Sequence, residues 1–181
     1  MSGEVRRIGR ELAYKGTLLE VYKDYMEFEN GAHAQWDFIY HNGAAAVIPV
    51  LDDGRILMVS QYRSALDRNT LEIPAGKLEA SDESGLICAK RELEEETGYR
   101  SDHIERLLTL RTAVAYCNEK IDIFVARNLI PSKQHLDEDE YVDVKVYTLE
   151  DLKEMIFTDK IEDSKTIAAI LAYESKYLGR G

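Results

Sequence analysis

Residues 76–99 read GKLEASDESGLICAKRELEEETGY, and the eight from 91 to 98, RELEEETG, set one arginine and four glutamates ahead of a glycine. From about Asp82 to Thr97 the stretch has a helical period, with Leu86, Ala89 and Leu93 at i, i+3 and i+7 on one face. Asp82 and Glu83 are expected at the positive end of this helix, and Gly98 is placed as its C-terminal cap. At about 100° per residue, with Glu92 set to zero, Glu96 lies near 40° and Glu95 near 300°, so three carboxylates share one sector. Leu93 and Leu86 fall near 100° and 120°, beside that sector, while Glu94 near 200° points away to solvent. Carboxylates held at the edge of a core repel one another, and one takes up a proton unless a cation satisfies them. Their hard oxygens suit Mg²⁺ or Mn²⁺. A bare ExxEE on a helix is more often a solvated face, so the triplet alone establishes no site.

The chain of 181 residues has room for one domain with a sizeable core and carries a net charge of −11. Nucleic-acid binding rests on lysine and arginine neutralising phosphates, so no nucleic-acid partner is expected. The same charge repels a phosphate-containing small molecule unless a cation stands between them. No apolar run approaches the roughly 18 residues that span a membrane, and MSGEVRRIGRELAY lacks the apolar core of a secretory signal, so no membrane association is expected. Cys88 and Cys117 are the only cysteines and are read as free thiols, which suits a cytoplasmic location.

Outward from the helix, the chain reads as strands first and helices last. Residues 18–28 and 32–41 are strand-like and flank Asn30-Gly31, a hairpin signal. The apolar run 44–51 suits a buried strand, and Asp52-Asp53-Gly54 is read as turning it into a second hairpin with 55–63. Thr70–Pro74 is short and extended, and Pro74-Ala75-Gly76 opens a loop. Residues 121–129 and 142–149 are further strands, followed by helices over 149–157 and 164–178. This order predicts a mixed α/β sandwich.

The stretch 76–99 closely resembles the signature of the Nudix hydrolases. Arg91, Glu92, Leu93, Glu95, Glu96, Gly98 and Tyr99 occupy its last part, and Glu83 stands seven residues before Arg91. One departure is upstream: six residues, where the pattern has five, separate Gly76 from Glu83, which implies one extra residue in the loop before the helix. LEIPAGKLE (71–79), QYR (61–63) and LDEDEYVDV (136–144) look like the ADP-ribose pyrophosphatase branch of that family.

The resemblance implies an α/β/α sandwich with a mixed sheet and an N-terminal antiparallel hairpin extension. It divides the chain into a hairpin subdomain, 1–42, that serves a homodimer, and a hydrolase domain, 43–181. It further implies hydrolysis of a nucleoside diphosphate sugar, with ADP-ribose giving AMP and ribose 5-phosphate. A GDP-mannose or other nucleotide-sugar pyrophosphatase is a second reading, and a non-catalytic ADP-ribose sensor a third. Glu92, Glu95, Glu96 and the Ala75 carbonyl would hold Mg²⁺ or Mn²⁺, with Arg91 orienting the glutamates. Glu138 is the first candidate for the catalytic base and Glu140 the second. Arg63 would approach the phosphates, Glu72 faces either the substrate or an ion pair, and Trp36 and Glu119 are candidate substrate contacts.

Overall fold

The computed structural model describes residues 4–17, 19–79, 83–136 and 141–179. In chain order the strands and helices are β1 (Val5–Lys15), β2 (Glu20–Phe28), β3 (His33–Tyr40), β4 (Ala44–Pro49), β5 (Ile56–Arg63), β6 (Arg68–Glu72), β7 (Ala75–Lys77), α1 (Gly85–Thr97), β8 (Tyr99–Arg100), β9 (His103–Arg111), β10 (Lys120–Arg127), β11 (Ile130–Pro131), β12 (Val142–Tyr147), α2 (Leu149–Phe157) and α3 (Ser164–Tyr177). Two compact units divide them: Met1–Gly43 with Arg111–Lys120, and Ala44–Leu110 with Ile121–Gly181.

The first unit is built on the antiparallel sheet β1-β2-β3. The Asn30-Gly31 turn closes the β2–β3 hairpin where the sequence places it: Glu27 pairs with His33, Gly31 takes φ 77, and its amide donates to the Phe28 carbonyl at 2.8 Å. β1 is an addition that the sequence reading did not contain. Irregularities between Arg7 and Gly9 and between Leu12 and Tyr14 shift its phase, which erases the alternation that marks a strand. Arg10 ties β1 to β2 through two bonds to Asp24, at 2.5 and 2.6 Å, with its guanidinium 3.7 Å from the Phe38 ring centre. Residues 111–120 complete this unit, bridging Ile39 to Cys117 and exchanging bonds between Asn118 and the His41 backbone.

In the second unit, the sheet β7-β4-β10-β9 is covered on both faces. Along β4, Ala45 and Val47 face Cys88, Ala89 and Leu93 of α1. Ala44, Ala46 and Ile48 face the opposite core, which takes in Leu152 and Ile156 of α2 and Ala169, Ile170 and Tyr173 of α3. A strand buried on both sides has no polar face, so 44–51 reads as an unbroken apolar run. Its parallel pairing with β10, Ala44 against Ile121 through Pro49 against Ala126, makes the sheet mixed.

Asp52-Asp53-Gly54 does reverse the chain, with the Leu51 amide donating to the Arg55 carbonyl at 2.8 Å and Gly54 at φ 84. The expected second hairpin does not follow. Only Val50 and Ile56 bridge, and β5 then leaves to pair with β6 and β12 in a separate three-stranded sheet. The turn is therefore a corner between two sheets. Ala75–Lys77, expected as loop, is a short strand antiparallel to β4, with Gly76 opposite Ala45.

Helix α1 starts later than its sequence suggests. Ser84 is the N-cap, its hydroxyl accepting from the Ile87 amide at 3.2 Å, and no acidic residue lies in the first turn. Gly98 ends it as expected, in the left-handed conformation at φ 70, donating to the Glu94 carbonyl. The buried residues are Cys88, Ala89, Glu92, Leu93, Glu96 and Thr97, whereas Leu86 is exposed. Leu93→Ala is expected to lower stability by about 3 kcal/mol, since Leu93 is fully buried where α1 meets the sheet. A urea midpoint within error of the wild type would show that this contact does not seat the helix.

Candidate active site

The buried arc of α1 runs from about 320° at Cys88 to about 140° at Thr97, so Glu92 and Glu96 fall inside it and do not flank it. Glu92 is 8% exposed and Glu96 4%. Two buried carboxylates on one helix face need specific partners. The Ala75 amide donates to Glu96 at 3.0 Å. Arg91 donates to Glu92 at 2.6 Å and to Glu95 at 2.9 Å through Nη1, and to the Lys77 carbonyl at 3.0 Å through Nη2. Its Nε lies 3.6 Å from both Glu79 and Glu83. Burial opposes the charge on Arg91, but Glu92 and Glu95 outweigh it and raise its pKa above the ordinary range.

Gly76 makes this packing possible. A Cβ at this position would stand 1.8 Å from Glu92 Oε1, so the carboxylate fills the space that any other residue's side chain would take. The need here is close approach and not an unusual backbone angle. Cys88 lies beneath the same contact, its thiol donating to the Gly76 and Lys77 carbonyls at 3.4 and 3.5 Å. Burial, and then the Glu92 charge, push that thiol up to about 12, so it is a packed neutral group and not a nucleophile.

Glu83 precedes the helix and turns back on the loop, accepting from the Glu79 amide at 2.7 Å while facing Arg91. Asp82, Glu138 and Glu140 lie outside the described residues. Glu94, expected to meet solvent, is half-buried and accepts from the Ser132 hydroxyl.

Arg63 and Glu72, both expected near substrate, are brought to each other. Arg63 Nε and Nη2 donate to the two Glu72 oxygens at 2.8 Å each, Thr70 donates at 2.6 Å, and Lys165 completes the shell. Glu72 thus forms an ion pair, one of the two placements the sequence left open for it. Lys165 was not singled out, and no local pattern marks it, because it lies 93 residues from its partner. Trp36 and Glu119 belong to the other compact unit. Trp36 is exposed and forms a T-shaped pair with Phe28, and Glu119 accepts from Thr112 at 2.6 Å and faces His41.

Among the described residues, no three carboxylates converge on one point as metal ligands would. Arg91 holds Glu92 and Glu95, and the Ala75 amide holds Glu96. The donor set nonetheless fits a hard divalent cation: carboxylate oxygens gathered on one helix face, beside a strand that offers backbone carbonyls and has no Cβ at Gly76.

The model of the NUDIX domain matches residues 40–170. The chain belongs to the Nudix hydrolase family. It is 38% identical to the ADP-ribose pyrophosphatase of Bacillus subtilis (strain 168) and 37% identical to the methanol dehydrogenase activator of Bacillus methanolicus, in each case over 92% of this chain and 91% of the other. The ADP-ribose pyrophosphatase of Mycobacterium tuberculosis (strain ATCC 25618 / H37Rv) is 28% identical over 95% of this chain and 84% of that protein. A solved ADP compounds hydrolase superimposes with a TM-score of 0.88, covering 98% of this chain and 96% of its own at 23% identity, which attests the fold. In this Nudix hydrolase two of the signature glutamates, Glu92 and Glu96, thus share the buried arc of the helix with the core, and Glu95 stands at its edge.

Glu72 adds a pH dependence. Burial alone would raise its pKa, but the Arg63 bonds, the Lys165 charge and the Thr70 hydroxyl bring it from 4.5 to about 2. A carboxylate depressed in the folded state stabilises it above the unfolded pKa, and that contribution is lost as pH falls from 4.5 toward 2. Glu72→Gln is expected to be less stable at neutral pH and to lack this part of the acid slope in urea midpoints measured across that window. An unchanged slope would mean that Glu72 does not hold the charge.

Proposed function

We propose that the chain is a divalent-metal-dependent diphosphatase of ADP-ribose, releasing AMP and ribose 5-phosphate. The observation that carries the reading is the pair of buried carboxylates, Glu92 and Glu96, set against the Gly76 and Ala75 backbone. ADP-ribose as the substrate draws its support from the 38% identity to a protein of that name. Glu92, Glu95, Glu96 and the Ala75 carbonyl would hold Mg²⁺ or Mn²⁺. When bound, such a cation supplies Lewis acidity at the phosphoryl oxygens, lowers the pKa of water and offsets the repulsion between a diphosphate and a chain of net charge −11.

Arg91 keeps the glutamate side chains on one face and remains charged while doing so. Arg63 addresses the diphosphate as a fixed cation. Water attacks one phosphorus, the bridging oxygen leaves with the other phosphate, and the proton passes to a general base, Glu138 first and Glu140 second. Trp36 contributes to nucleoside binding, and Glu119 is a substrate contact, in a cytoplasmic homodimer joined through the N-terminal strands.

A substrate panel of ADP-ribose, GDP-mannose, NADH and diadenosine polyphosphates, assayed with Mg²⁺ and with EDTA, tests the reading. ADP-ribose is expected to be turned over preferentially and only with the metal. Glu96→Gln is expected to lower kcat by about 10² or more while the protein still folds. Equal turnover across the nucleotide sugars would overturn the substrate assignment. Binding of ADP-ribose without hydrolysis would make the chain a sensor.

A further inference from the structure

The first turn of α3 reaches the segment that leads into β7 through three residues. Asp163 caps the helix, accepting from the Thr166 amide at 3.0 Å. The Thr166 hydroxyl accepts from the Ile73 amide at 3.0 Å, two residues before Ala75. Lys165 donates to Glu72 Oε2 and, at 3.0 Å, to Asp163 Oδ2. Its side chain is 11% exposed and that of Glu72 5%, so this is an enclosed pair and not a surface contact. An ammonium group buried to that extent is held only where carboxylates satisfy it.

The charges matter more than the contacts. Arg63 and Glu72 alone form a neutral pair, in which Nε and Nη2 of the guanidinium are spent on the carboxylate. A cation so neutralised attracts a diphosphate weakly. Lys165 on the second Glu72 oxygen changes this balance, since one carboxylate is then shared between two cations. The opposing charge of Asp163 is itself offset by the helix N-terminus it caps. Arg63 is also within electrostatic reach of Glu96, which helps hold it protonated after the larger contribution of Glu72. Beside the pair lies a cavity of about 450 Å³ whose charged lining is Arg63, Glu72, Glu162, Asp163 and Lys165, with Glu162 turned to Arg68 in an ion pair.

We propose that Lys165 is a positioning residue for the diphosphate site: by sharing Glu72 with Arg63, it fixes the guanidinium and leaves its positive charge available to substrate. This rests on the reading of the chain as a diphosphatase and extends it to a residue outside the signature. Lys165 acts through Arg63 and need not touch substrate.

The test compares the full chain with Lys165→Met and Lys165→Arg in two assays. One is steady-state hydrolysis of ADP-ribose with Mg²⁺, and the other is calorimetric binding of ADP with Mg²⁺, which reads affinity and not turnover. Lys165→Met is expected to raise KM about tenfold, the weight of one charge-assisted contact. It is expected to leave kcat within about threefold, the signature of lost binding and not of lost chemistry. ADP affinity is expected to fall in parallel, and Lys165→Arg to restore both. Unchanged KM and ADP affinity in Lys165→Met, even with a lower melting temperature, would reduce Lys165 to a structural role and overturn the proposal. So would a wild-type chain that binds no ADP with Mg²⁺ present. An inactive wild type whose ADP affinity still drops in Lys165→Met would sink the substrate reading and leave this one standing.

Discussion

The contact on which the rest depends is the one between a glycine and a glutamate. Glu92 lies where a side chain at Gly76 would be, and this lets a carboxylate enter the buried arc of α1 against the short strand β7. Burying a carboxylate there is unfavourable unless its oxygens are satisfied. Arg91, with one nitrogen on Glu92 and Glu95 and another on the Lys77 carbonyl, meets that need and ties helix to strand. The Ala75 amide does the same for Glu96. An acidic site is thereby assembled inside a fold that already carries a charge of −11.

A second layer supports the first. The sheet that carries β7 is fixed by a strand buried on both faces, with α1 on one side and α2 and α3 on the other. The segment entering β7 is held from α3 through Thr166 and through Lys165 on Glu72. Position within the site is therefore set from two directions, by the signature helix and by a helix late in the chain.

What could be read from the sequence was local. Gly98 as a helix stop and Asn30-Gly31 as a turn depend on a few neighbouring residues, and both stand where they were expected. Spacing puts Glu92, Glu95 and Glu96 in one sector of the helix, but it was the resemblance of 76–99 to the Nudix signature that singled them out. Where a residue's role is decided by distant partners, sequence reasoning failed. Leu86 matches the helical period, yet it is exposed, while Cys88 takes a place in the core. The turn at Asp52–Gly54 has the composition of a hairpin, but β4 and β5 find their partners in different sheets. Lys165 and Glu72 meet across 93 residues with no pattern to announce it.

The central claim is that Gly76 makes room for a carboxylate that serves as a metal ligand. The most direct measurement is the Mn²⁺ affinity of Gly76→Ala beside the wild type, by electron paramagnetic resonance, with melting curves of both. The added Cβ displaces only the end of a flexible side chain, so the fold is expected to survive while Mn²⁺ affinity falls by about tenfold or more, the loss of roughly one ligand's worth of binding. Equal Mn²⁺ affinity in the two proteins would contradict the account, because Glu92 would then be a buried carboxylate that holds the helix and nothing else.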